Sequence, residues 1–81
     1  MRLPRDVSGA DLAKRLAVFG YSVTRQTGSH IRLTTLSNGE HHVTIPAHSP
    51  LRIGTLSSII ADVAAHVGKT KDEAASVLFQ K

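Results

Sequence analysis

Residues 28–45 read GSHIRLTTLSNGEHHVTI, and the alternation in this stretch decides the fold. The Asn38-Gly39 pair marks a chain reversal, because both residue types accept the positive φ that hairpin turns require. Apolar residues alternate with polar ones on both sides of it: Ile31 and Leu33 before the turn, Val43 and Ile45 after it. Side-chain parity then selects the register. A two-residue loop would set Thr34 opposite Val43 and mix the faces, whereas a three-residue loop with a glycine bulge keeps Leu33, Val43 and Ile45 on one face. The expected hairpin has one apolar face and one face carrying His30, Arg32 and Thr34.

Upstream, Tyr21-Ser22-Val23-Thr24 alternates in the same way and is expected to be a half-buried strand. Gly20 suits the end of a preceding helix. That helix is predicted over residues 9–19 from Leu12, Ala13, Leu16 and Ala17 at helical spacing, with Ser8 and Asp11 resembling a capping box. Downstream, Pro46 closes the last strand, and residues 47–53, with a second proline at Pro50, are expected to form an irregular, polar surface loop. From Thr55 an apolar stripe of Leu56, Ile59, Ile60, Val63, Ala64 and Val67 predicts a helix stopped by Gly68. Thr70-x-x-Glu73 is a capping box opening a short last helix with Ala74, Val77 and Leu78, expected to pack on the preceding helix or on a partner. The order helix, three strands, helix, helix gives an α+β fold in which helices cover the apolar face of one three-stranded antiparallel sheet. The polar face stays open.

Eighty-one residues suffice for one domain, and with only Phe19, Tyr21 and Phe79 as aromatics the core must be aliphatic. The absence of cysteine excludes a disulfide scaffold and a thiolate metal site. Arg2 and Arg5 are followed by no apolar run, and no stretch approaches the roughly 18 apolar residues of a spanning helix. A soluble, unprocessed, cytoplasmic protein is the expectation. Ten Lys and Arg against six Asp and Glu give a net charge of +4, which favours polyanions or an acidic protein partner.

His30 stands at the junction of the Gly28-Ser29 turn and the second strand, on the face opposite Ile31 and Leu33, so packing does not account for it. The local pattern alone favours a half-exposed strand residue with no role. The alternative is acid–base work near neutral pH. RNA supplies its own nucleophile: removal of the 2′-OH proton lets that oxygen attack the adjacent phosphate, with no metal or cofactor needed. Arg25 and Arg32 flank His30 in sequence and suit the charge that builds on phosphorus, as do the Gly28 and Ser29 amides. His48 follows the strand that ends beside His30, so it is either a second acid or base or an ordinary loop histidine. Lys14 and Arg52 are candidates to extend a phosphate-binding surface. No metal site is expected, since parity sends His41 and His42 to opposite faces and no carboxylate stands at ligand spacing. Ser29 lacks the G-x-S-x-G surroundings of an acyl-transfer nucleophile.

Three segments, in order, resemble the HicA (YcfA-like) mRNA interferase toxins. Gly28-Ser29-His30 looks like the family's G-S-H, Val43-Thr44-Ile45-Pro46-Ala47-His48 its V-x-[VI]-P-x-H, and Gly54-Thr55-Leu56-Ser57-Ser58-Ile59-Ile60 its G-T-L-x-x-I-[IL]. Ser8-Gly9-Ala10-Asp11-Leu12 is similar to its opening helix. The resemblance covers about residues 7–67, leaving residues 69–80 as a helical extension. It implies a fold like a double-stranded-RNA-binding domain, mRNA cleavage, and a HicB-like antitoxin that occludes the active site; direct DNA binding is implied only through the antitoxin complex. It puts the catalytic histidine at His30 and the P-x-H histidine at His48, without fixing the role of the second. The chain departs from the family at Ile31, where a second histidine is frequent, and at the loop Ser49-Pro50-Leu51-Arg52-Ile53, where lysine is common. Two other readings compete: a non-catalytic module for double-stranded RNA, and an interaction subunit for an acidic partner.

Overall fold

In the computed structural model, which describes residues 3–80, the chain runs α1 (Gly9–Arg15), a 3-10 turn (Leu16–Phe19), β1 (Ser22–Gln26), β2 (His30–Thr35), β3 (His41–Pro46), α2 (Ile53–Val67) and α3 (Lys71–Leu78). Arg2 lies outside the described residues. The three strands form one antiparallel sheet in the order β1-β2-β3, giving the expected α+β architecture of the double-stranded-RNA-binding type.

The hairpin register is the one parity demands. Leu33 pairs with Val43 and Ile31 with Ile45, so their side chains enter the core together. The last pair is Thr35 with His41, so residues 36–40 make a five-residue turn in place of the expected three-residue loop with its glycine bulge, because the positive φ of Asn38 (60°) and Gly39 (97°) closes the turn without pairing Leu36 to Glu40. Leu12 and Leu16 cover the apolar face from one side, and Leu56, Ile60 and Val63 from α2 cover it from the other. Ala74, Ala75 and Leu78 of α3 join the same core against α2.

Four further expectations need correction. The first helix is α-helical only to Arg15 and tightens into 3-10 geometry over its last four residues, ending at Gly20 with φ 85°. Ser8 caps it by accepting from the Asp11 amide, but the Asp11 carboxylate turns to Arg15 instead of closing the box. β1 is not half-buried: all five of its residues are exposed, since it is the edge strand and α1 leaves it uncovered. The segment after Pro46 is not wholly a surface loop, because Leu51 is buried and its amide donates to the Val7 carbonyl. That anchor starts α2 two residues before Thr55, with Arg52 as an N-cap that offers no side-chain acceptor.

Two tethers set where the helices lie. At the sheet end bearing His30, the Gly9 amide donates to the His48 carbonyl, and a Cβ at Gly9 would collide with the Pro46 carbonyl oxygen. Only glycine lets α1 approach β3 this closely. At the other end, the His66 ring stacks on His41 at 4.4 Å, and its Nε2–H points to the Ser37 and Gly39 carbonyls in the hairpin turn. Burial, and secondarily the Asp62 charge, pushes the Tyr21 hydroxyl up to about 12. It therefore stays protonated and donates to His41 Nδ1 at 2.7 Å, leaving His41 Nε2–H for the Asp62 carboxylate.

Candidate active site

His30 opens β2, and its ring lies on the open face, as parity requires. A turn of short bonds holds its backbone: Thr27 N–H donates to the His30 carbonyl, and the His30 amide donates to Thr27 Oγ1. Ser29 Oγ lies 3.0 Å from His30 Nδ1, which fixes the ring through one nitrogen. His30 Nε2 has no protein partner among the described residues. When Nδ1–H donates to Ser29, Nε2 presents a lone pair; when the serine hydroxyl donates, Nε2 carries the proton.

Beside this ring runs an open groove of about 520 Å³. His30, Thr44 and Pro46 form its sheet wall, and Gly54, Thr55, Ser58 and Ile59 from the start of α2 form the opposite wall. The first helical bond of α2 is Leu56 N–H to Arg52 O, so the preceding amides have no acceptor within the helix. No side chain caps them, and no acidic residue stands in the first turn. The groove thus brings His30 and the positive end of a 15-residue helix to one cleft.

A β-bulge brings Arg25 to the same face. Val23 pairs with Leu33 and Arg25 with Arg32, with Thr24 as the extra residue between them. Strict alternation from Val23 would turn Arg25 toward the helices; the bulge reverses it. Thr24 Oγ1 meets Thr34 Oγ1 on the open face at 3.0 Å, and Gln26 returns to the helix side with Ile31. Arg25 and Arg32 are therefore exposed neighbours in register, and neither has a carboxylate partner among the described residues.

The other candidate residues divide. Ser29 is at the site through its bond to His30. Gly28 lies in the exposed turn, where a Cβ would meet nothing, so sterics alone do not require glycine. His48 is exposed and close in backbone, since the Ala47 amide donates to the Ser29 carbonyl, but its ring does not line the groove. Arg52 stands at the helix start without lining the groove. Lys14 lies on α1 with Ala10 and Ala13, across the sheet from His30. Sequence reasoning missed the wall formed by Thr55 and Ser58. It also missed the chain Thr24, Thr34, His42, Glu40 on the open face, where His42 Nδ1 meets Thr34 Oγ1 at 2.7 Å and Nε2 meets Glu40 at 2.8 Å. Among the described residues no three His, Asp or Glu side chains are grouped to hold a metal ion.

A family model for the HicA toxin of bacterial toxin–antitoxin systems matches residues 9–64 of the 81. The chain belongs to the HicA toxin family. No curated protein and no solved structure matches it. As a toxin of such a system it has an antitoxin partner. No helix of the described residues is long and apolar enough to cross a membrane. The toxin's three motif segments, separated in sequence, meet at one place: His30 from the first, Thr44 and Pro46 from the second, and Gly54, Thr55, Ser58 and Ile59 from the third all line the groove.

Proposed function

We propose that this toxin is a metal-independent endoribonuclease that cleaves mRNA in the cytoplasm, with His30 as its general acid–base residue. The observation that carries the reading is the groove, lined on one side by His30, whose Nε2 has no protein partner among the described residues, and on the other by the uncapped start of α2. A phosphodiester fits between them: the helix-start amides suit its non-bridging oxygens, and His30 Nε2 suits the neighbouring 2′-OH.

In the reaction His30 Nε2 takes the 2′-OH proton as the 2′ oxygen bonds to phosphorus. The bond from phosphorus to the 5′ oxygen breaks, and that oxygen leaves with a proton delivered by His48 or water. The products are a 2′,3′-cyclic phosphate and a 5′-OH. Arg25 and Arg32 neutralise charge on the phosphorane and hold the strand, while Gly28 and Ser29 shape the turn that presents the ring. Lys14 and Arg52 contribute through the general positive field. A HicB-like antitoxin silences the toxin by covering this face.

Incubation of purified toxin with RNA and with DNA of the same sequence, in EDTA, tests the proposal. RNA alone is cut, its products end in cyclic phosphate, and a single 2′-deoxy substitution at the cleaved position blocks the cut. His30→Ala lowers the rate by about 10²- to 10⁴-fold with unchanged thermal stability, because the ring packs against nothing in the core. Intact RNA, or a fully active His30→Ala, refutes it. Salt-sensitive binding without scission would instead identify a non-catalytic RNA module.

A further inference from the structure

On the other side of the same sheet end, α1 and the edge strand β1 enclose a notch of about 210 Å³ lined by Ala10, Ala13, Lys14, Val23, Gln26 and Ile31. Val23 points toward the core side of the sheet yet remains 50% exposed, because among the described residues α1 borders it across the notch without covering it. Among the described residues, one edge of the β1 backbone has no strand beside it. The notch is smaller than the roughly 300–1,000 Å³ typical of small-molecule sites, and suits a protein side chain. Its charge is one-sided: Lys14 lines it and no carboxylate lies in its wall, while Arg25, on the same strand, faces the open side of the sheet.

We infer that the antitoxin anchors here, adding an extended acidic segment to the free edge of β1 and seating one apolar side chain in the notch. This rests on the toxin reading but not on the nuclease chemistry. Strand addition uses the unpaired edge, and the notch reads one side chain of the added strand. On the added strand a carboxylate next to that side chain falls on the open face near Arg25, and one two residues along falls on the helix side near Lys14. A second copy of the toxin is disfavoured, since two-fold pairing of β1 edges would bring Lys14 and Arg25 toward their own equivalents. An RNA strand is disfavoured because Lys14 is the single cation of a lining that is otherwise mostly apolar. Anchoring at β1 also places the partner one strand from the His30 groove, where it can fold over the edge onto Arg25.

The test is calorimetric titration of the full toxin with the purified cognate antitoxin of its toxin–antitoxin system. The variants are Ala10→Glu and Val23→Glu, with Leu36→Glu in the exposed hairpin turn as control. Each notch variant weakens the Kd by roughly tenfold or more, the control leaves it within about twofold, and RNA cleavage by the free variants stays at the parental level. Ala10→Glu changes an exposed helical position, so it remains informative if Val23→Glu fails to fold. Unchanged Kd in Ala10→Glu overturns the inference. So does loss of RNA binding in the notch variants, or dimerisation of the free toxin abolished by them, which would give the notch to RNA or to a second copy. Because binding is read without cleavage, an inactive parent would sink the nuclease reading and leave this measurement standing.

Discussion

Arg25 and Arg32 sit directly across from each other on an exposed strand pair without a neutralising carboxylate among the described residues. Like charges opposed in this way destabilise a sheet by about 0.2–1 kcal/mol. Because both side chains are long and solvated, the lower half of that range applies here. Replacing either with threonine, a good strand former like its neighbours Thr24 and Thr34, should therefore stabilise the fold. With about 4–8 °C of melting temperature per kcal/mol for a domain of this size, the rise is about 1–4 °C at low salt. It should vanish near 1 M salt, where the Debye length shrinks to about 3 Å. A double-mutant cycle isolates the charge term from strand propensity: the second substitution adds less than the first, since the repulsion is already gone. The same variants lose RNA cleavage by on the order of 10²-fold, so stability and activity move in opposite directions. Circular dichroism melts at the two salt concentrations, paired with a cleavage assay, measure both. A fall in melting temperature, a gain that persists at 1 M salt, or undiminished cleavage would refute the claim that this pair is kept for an anion.

Two further outcomes follow from the tethers. Gly9→Ala drives a Cβ into the Pro46 carbonyl and should cost about 1–3 kcal/mol by urea denaturation, with reduced RNA cleavage because the Gly9 amide holds the His48 carbonyl beside the site. Tyr21 has its hydroxyl raised from 10.0 to about 12 in the folded chain, so the stability it contributes is complete below pH 10 and is lost as pH rises toward 12. The difference in urea midpoint between the parent and Tyr21→Phe should narrow across that window, and a constant difference would contradict the buried-phenol account.

The sheet and the two later helices were legible because each rests on a local pattern with one solution. Leu33, Val43 and Ile45 share a face only in one register, and Thr70 with Glu73 forms the reciprocal capping box their spacing announces. His30 was legible as a solvent-facing residue for the same reason. What escaped were features set by neighbours distant in sequence. The exposure of Val23 depends on how far α1 reaches over β1, and burial of Leu51 depends on Val7. The groove needs α2 to begin beside β3, more than twenty residues after His30. The bulge at Thr24 leaves no compositional trace, so alternation alone assigns Arg25 to the wrong face.

On the proposed function and the inferred docking site, that bulge lets one short sheet serve two ligands. With regular alternation, Arg25 would join Lys14 on the helix side and the open face would keep Arg32 as its single arginine beside His30. Shifting one residue divides the positive charge: Arg25 and Arg32 go to the face with the groove, and Lys14 remains with the apolar notch. The division matters energetically. An antitoxin competing only for the groove would have to displace RNA from a polar, hydrated surface where phosphates are the better ligand. Anchored at the notch, it gains burial of apolar area that no nucleic acid can supply, and needs only modest contact over the edge to close the groove.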